Sequence, residues 1–209
     1  METQPSTRPP RPVTAEDVTD AVLSGSWVID LRSRERYAEA HLAGTVNVEW
    51  SEQFGEHVGW LLPQGDDIVL LTDSPDLLEP ALHELAARGI DGVGTHVLPP
   101  EPLPASYRRA RWADYLDDAA AERRVLVDVR DTAEHERAHL PEAVHVPLHD
   151  IERTGPTLPP GEIWVHCRSG HAAGIAASLF QRLGRSVVHI DDSWEQVAAR
   201  AVAPGPRAA

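Results

Sequence analysis

Lysine is absent from this chain: all 19 of its basic residues are arginine. A P-loop lysine and a Schiff-base lysine are therefore excluded, because both chemistries need that primary amine. Cysteine is nearly absent too. Cys167 stands alone, which rules out an internal disulfide and any zinc site built on cysteine pairs. With no second thiol beside it, whatever Cys167 picks up must leave to another molecule. Long apolar runs are also missing, and nothing approaches the roughly 20 residues needed to span a bilayer. The opening METQPSTRPPRPVT carries basic residues without the apolar core of a secretory signal. Positive charge is scarce, with a formal net charge of −14. Nucleic-acid binding needs a basic footprint on the phosphates, so that partner class is disfavoured. Together these absences predict a cytoplasmic protein with neither a membrane nor a nucleic-acid partner.

What is present is room and punctuation. A length of 209 residues suffices for two small domains with real cores. Proline-rich stretches open, divide and close the chain as RPPRP, PPEPLP (99–104) and APGPRAA, and such segments read as spacers or ends. The expected layout is a disordered tail over 1–12, a domain over 13–98, a linker over 99–106, a second domain over 107–203 and a disordered tail over 204–209.

The two halves repeat one plan. Asp30-Leu31-Arg32 precedes His41-Leu42 as Asp128-Val129-Arg130 precedes His139-Leu140, with eleven positions from Asp to His in both. Each copy runs on into a short strand-like stretch, TVNV (45–48) or AVHV (143–146). IVLL (68–71) then leads into a turn and helix, as IWVH (163–166) does, and Gly89 and Gly184 stand where each helix should stop.

Within each half, strands alternate with helices. VLVDV (125–129), EIWVH (162–166) and SVVHI (186–190) are β-branched runs of strand length. Between the last two, Ala172, Ile175, Ala176, Leu179, Phe180 and Leu183 fall on one helical face. Strand, helix, strand in short order predicts parallel strands with right-handed crossovers. The fold class is α/β, as two small parallel sheets flanked by helices.

In such sheets ligands sit beyond the carboxyl ends of the strands, facing helix N-termini. Cys167 occupies that place, between a strand and a helix, in WVHCRSGHAAG (164–174). Arg168, Ser169, Gly170 and His171 offer successive backbone N–H donors, and Gly170 permits the tight curl of a nest. Such donors favour a thiolate, and Arg168 adds to them if its guanidinium turns inward. The competing account is an inert, buried free cysteine, the commonest fate of that residue.

Cys167-Arg168-Ser169-Gly170 followed by a helix resembles the active-site loop of rhodanese-type sulfurtransferases, whose usual pattern is C-R-S-G-x-R. Asp128, Arg130, Glu134, His139 and Leu140, followed by PEAVHVPL, are similar to the family's preceding segment. The resemblance covers about residues 112–200, with a weaker version in the first half. The pair of copies, with GWLLPQGDDIVLL (59–71) in the first, also resembles the tandem rhodanese region of bacterial fusion proteins bearing a metallo-β-lactamase-fold domain.

The resemblance implies that Cys167 takes sulfane sulfur from thiosulfate or a persulfide, becomes a persulfide, and passes the sulfur to a thiol or cyanide. Arg168, Ser169, Gly170, His171 and Ala172 would line the substrate site, with no metal or organic cofactor. The implied partners are a small sulfur donor, a thiophilic acceptor and, as a candidate, a separate persulfide-oxidising enzyme. The alternative is a non-catalytic module for sulfur carriage or partner binding.

Two departures matter. Ala172 replaces the second loop arginine, and losing such a charge-assisted contact costs about 1.5–3 kcal/mol. Thr72 stands at the cysteine position of the first half, within LLTDSPDLLEP, where Ser74 and Pro75 rewrite the loop as a helix start. That copy is expected to be catalytically dead. A tyrosine-phosphatase reading of V-H-C-x-x-G needs an arginine six residues past the cysteine, where Ala173 stands. His145 and His149 have the spacing of helical metal ligands, but Pro147 lies between them. Asp128–Arg130 and Asp30–Arg32 are expected as internal ion pairs, and the six tryptophans as packing residues.

Overall fold

The computed structural model describes residues 9–62, 68–99, 103–117 and 123–202. It divides into two compact units, Met1–Ala105 and Ser106–Ala209. The tail residues 1–8 and 204–209 and linker residues 100–102 lie outside the described residues.

The first unit runs β1 (Arg11–Pro12), α1 (Ala15–Leu23), β2 (Trp27–Asp30), α2 (Arg34–Glu39), β3 (Val46–Asn47), α3 (Phe54–Leu61), β4 (Ile68–Thr72), α4 (Leu78–Ala86) and β5 (Gly94–Val97). Its sheet has the order β1-β5-β4-β2-β3, and every pairing is parallel. The second unit runs β6 (Arg108–Ala110), α5 (Trp112–Asp117), β7 (Arg124–Asp128), α6 (Thr132–Arg137), β8 (Val144–His145), α7 (Ile151–Thr154), β9 (Glu162–His166), α8 (His171–Arg182) and β10 (Val187–Ile190). Its sheet order, β6-β10-β9-β7-β8, is that of the first unit strand for strand, again parallel throughout. Register matches as well: Asp30 faces Leu71 and Asp128 faces His166, so Thr72 and Cys167 each follow the residue opposite the aspartate.

Two expectations need correction. Arg11 and Pro12, assigned to the tail, form edge strand β1 against β5. Proline is tolerated there because the N–H bonds come from its neighbours, Arg11 to the Val93 carbonyl and Val13 to that of Thr95. Ala105, assigned to the linker, exchanges backbone hydrogen bonds with His41. Helix α8 also differs from a one-faced helix. Ala173 to Phe180 are all buried. Its small residues let it contact β9 and β10 on one side and α7 on the other.

The second unit's core gathers Trp112, Trp164 and Trp194 around Tyr115, Leu126 and Ile190. Sequence spacing left these tryptophans scattered; the strand order brings them together. The first unit's cluster of Val13, Val18, Val28, Leu71 and Leu98 has no such aromatic centre.

Both sheets end in the same ion pair. Arg130 Nε donates to both Asp128 oxygens at 3.0 and 3.1 Å, and its Nη2 to Oδ2 at 2.6 Å. Arg32 meets Asp30 with the same three distances. The outer face of each guanidinium donates to a carbonyl, that of Ala138 or Ala40. All four residues are buried. Removing one partner of such a pair strands the other charge, so Asp128→Asn should lower unfolding stability by about 3–5 kcal/mol. Asp150→Asn, which breaks the more exposed Asp150–Arg153 pair, should leave the urea midpoint unchanged. Urea denaturation followed by tryptophan fluorescence measures both.

Candidate functional site

Strand β9 delivers Cys167 to the carboxyl edge of the second sheet, and α8 starts four residues later. Between them the chain curls tightly. Gly170 adopts φ +91°, and a Cβ there would stand 3.0 Å from the backbone of Asp191. Glycine is the residue that tolerates both demands. His189 holds the curl from below, its Nε2–H donating to the Gly170 carbonyl at 2.8 Å. On the other side, Trp194 N–H donates to the Arg168 carbonyl at 2.8 Å.

The sulfur lies inside this curl. Cys167 is 5% exposed, and its Sγ accepts from Ala173 N–H at 3.3 Å. The N–H groups of Ser169, Gly170 and Ala172 also act on it. The nest expected from sequence is therefore present but shifted toward the helix. Ala172 and Ala173 supply first-turn donors that the helix itself leaves unsatisfied, where Arg168 and His171 had been expected. Ala173 was singled out only as a missing arginine; the orphan N–H groups of a helix start are the signal that could have found it.

Burial outweighs these donors and pushes the Cys167 thiol above its ordinary pKa, against the lowering that the donors alone would give. Arg168 does not assist. Its side chain is 64% exposed and turns outward, to Glu134 at 2.9 Å and Glu195 at 3.8 Å. Ser169 is exposed, while His171 and Ala172 open α8 half-buried.

Behind the loop, His166 points to the opposite face of the sheet. Its ring stacks on Trp194 at 5.6 Å between centroids and tilts against Trp112 at 4.9 Å. Its Nε2 is 4.0 Å from Asp128 Oδ1, beyond hydrogen-bond reach. Burial pushes this imidazole down to about 4 against the opposing pull of Asp128. Burial also disfavours the Asp128 carboxylate, yet Arg130, His166 and His135 together hold it well below the usual carboxylate range.

His145 stacks on His135 at 4.0 Å, and its Nε2–H donates to the Arg130 carbonyl. Among the described residues, no group of three or more His, Cys, Asp or Glu side chains could hold a metal ion. None of their helices is long and apolar enough to cross a membrane.

In the first unit, Thr72 fills the cysteine's place. Its Oγ1 accepts from Ser74 N–H at 3.0 Å, and Pro75 starts a short helical turn. The hydroxyl thus takes up a loop N–H itself, and no thiol stands there.

Residues 112–200 match the family model of the rhodanese-like domain. Over 67 residues the chain is 34% identical to a curated protein of Bacillus subtilis (strain 168), "Putative sulfur carrier protein YrkF", covering 31% of this chain and 36% of that one. The match thus spans about a third of that relative's length. A thiosulfate sulfurtransferase from Pseudomonas aeruginosa is 15% identical with a TM-score of 0.39, covering 95% of this chain and 44% of that one. Reduced Bacillus anthracis CoADR-RHD is 20% identical with a TM-score of 0.41, covering 46% and 18%. The span matched by the family model lies within the second unit.

Two pH responses follow. Alkylation of the free protein by iodoacetamide should be slower at pH 7 than that of free cysteine, and should rise through a pKa above that of an ordinary thiol. A pKa below 7 in the rate profile would contradict the geometry. His166 is neutral in the fold and protonates more readily when unfolded. Its contribution to stability is therefore complete above about pH 6.5 and falls as pH drops toward 4, by at most roughly 1.4 kcal/mol per pH unit. His166→Phe should flatten that slope in denaturation series between pH 4 and 6.5.

Proposed function

We propose that this protein is a sulfurtransferase that works through a persulfide on Cys167. The observation that carries this reading is the buried sulfur at the strand end, faced by the N–H groups of Ser169, Gly170, Ala172 and Ala173. In the free enzyme, those donors offset part of the cost that burial imposes on a thiolate. In a persulfide, the negative outer sulfur extends into the curl and is held there, as an oxyanion hole holds an oxygen.

In the first step Cys167 Sγ attacks the outer sulfur of the donor as its S–H proton passes to the leaving group; the donor's S–S bond breaks, and hydrogensulfite or a thiol leaves with the bonding pair and that proton. An acceptor thiolate or cyanide then attacks the outer sulfur of the Cys167 persulfide and regenerates the Cys167 thiolate. No step calls for a metal or an organic cofactor. The raised thiol pKa means that charge enters the site with the donor.

The duplicated strand order supports reading the first unit, which includes β1 and Ala105, as a degenerate copy and the second unit as the working domain. Thr72 offers no nucleophilic sulfur, so we assign the first copy a structural or donor-docking role. The partners proposed are a small donor, a thiophilic acceptor and a separate persulfide-oxidising enzyme, in a cytoplasmic setting. The likeness to metallo-β-lactamase-fold fusion proteins rests on GWLLPQGDDIVLL, of which residues 63–67 lie outside the described residues.

A second reading, sulfur carriage without turnover, is favoured by the outward Arg168 and by the name of the Bacillus subtilis relative. One experiment separates them. The protein is incubated with thiosulfate or glutathione persulfide, and the Cys167 peptide is weighed before and after adding cyanide. Gain of one sulfur, its release as thiocyanate over many cycles, and loss of both in Cys167→Ser are expected. A single cycle without turnover favours carriage, and no gain from either donor overturns sulfur transfer.

A further inference from the structure

Arg168 is the only cationic side chain of the Cys167-to-His171 turn other than the titratable His171, and the fold commits it elsewhere. Glu134, on the first turn of α6, receives its Nη1 at 2.9 Å. Glu195, on the short turn after β10, lies 3.8 Å from its Nη2. Glu195 is itself held in place, accepting from Ser193 Oγ at 2.7 Å.

The neighbouring cations are committed as well. Arg109 bonds Asp191, the residue packed against Gly170, at 2.6 Å. Arg130 is buried on Asp128. Ala172 stands where a further arginine could have reached the loop. The rim formed by Arg168, Glu134 and Glu195 thus carries one positive and two negative charges on a protein whose formal charge is already −14.

We propose that Glu134 and Glu195 are specificity-determining positioning residues that clamp Arg168 away from the sulfur, and so select a donor of low net charge over a dianion. The inference rests on the sulfur-transfer reading and names its donor class. With thiosulfate, attack by Cys167 Sγ brings a dianionic donor, and then the departing sulfite that takes the S–H proton, beside a rim whose two carboxylates outnumber its one guanidinium. With a persulfide anion, RSS⁻, the Cys167 S–H proton ends on the departing RSH, the new S–S bond replaces the old one, and a single negative charge stays on the Cys167 persulfide. The backbone N–H groups suffice for that one charge.

The test is a gain of function. Wild type, E134Q/E195Q and E134Q/E195Q/R168Q are loaded with thiosulfate and, separately, with cysteamine persulfide, whose ammonium offsets its own negative charge. Rates of sulfur gain on Cys167 are read by mass. Both glutamates lie on the surface side of the loop, and circular dichroism checks that each variant is folded.

Releasing Arg168 from two carboxylates should speed thiosulfate loading about tenfold or more, while cysteamine persulfide changes less than about threefold. Adding R168Q should abolish the gain, which a merely structural role for the glutamates would not produce. A ratio of the two rates unchanged in E134Q/E195Q, or a gain that survives R168Q, overturns the clamp while leaving sulfur transfer standing. Failure of every variant to load from either donor overturns both.

Discussion

The buried pairing of Asp128 with Arg130 is the interaction on which the second unit's active edge depends. Two full charges sit in the interior there, and each is stable because the other is present and further hydrogen bonds surround the pair. Asp128 accepts from the Arg130 backbone and side chain and from His135. Arg130 reaches on to the Ala138 carbonyl, fixing where α6 ends. Its guanidinium also lies over the Trp194 ring at 3.8 Å, a cation–π contact in a dry setting. Trp194 then holds the Arg168 carbonyl, the first turn of the cysteine loop. A carboxylate at the end of one strand is thereby linked to the shape of a loop at the end of the next.

That linkage explains why the site can be both buried and ready. The loop's N–H donors cannot follow a charge as water would, so they must be aimed beforehand. Gly170, His189 and Trp194 aim them. The cost is a thiol that resists ionisation. In the proposed transfer, the benefit comes when charge moves outward onto a second sulfur, toward Ser169, Gly170, Ala172 and Ala173. Arg168 is the cationic side chain next to the sulfur in sequence, yet it turns away to Glu134 and Glu195. The site therefore relies on fixed backbone dipoles and little on mobile side chains.

The first unit shows what the scaffold does without the chemistry. Asp30 and Arg32 reproduce the ion pair, and the strand order is the same, but Thr72 closes its own loop through Ser74. The corresponding edge of each sheet thus carries either a buried sulfur faced by N–H donors or a satisfied hydroxyl, and a few loop residues make the difference. Architecture and activity are separable in this chain because the ion pair belongs to the sheet, whereas the donors belong to the loop.

Much of this was already written in residue order. Strand length, β-branched content and the eleven-residue interval from Asp to His repeat locally, so the duplication and the parallel α/β class could be read directly. The place of Cys167 before a glycine turn and a helix could be read for the same reason. Other features depend on residues far apart in the chain. Arg11 and Pro12 become a strand only because the carbonyls of Val93 and Thr95, more than eighty residues away, accept from Arg11 and Val13. Trp112, Trp164 and Trp194 form one cluster only once β6, β9 and β10 lie side by side. The direction of Arg168 was decided by Glu134 and Glu195, and the charge state of Cys167 by how deeply the loop is buried. Local pattern determines which elements form and where the nucleophile stands; long-range packing determines the dielectric around it and which charges face it, and no single stretch of sequence encodes those.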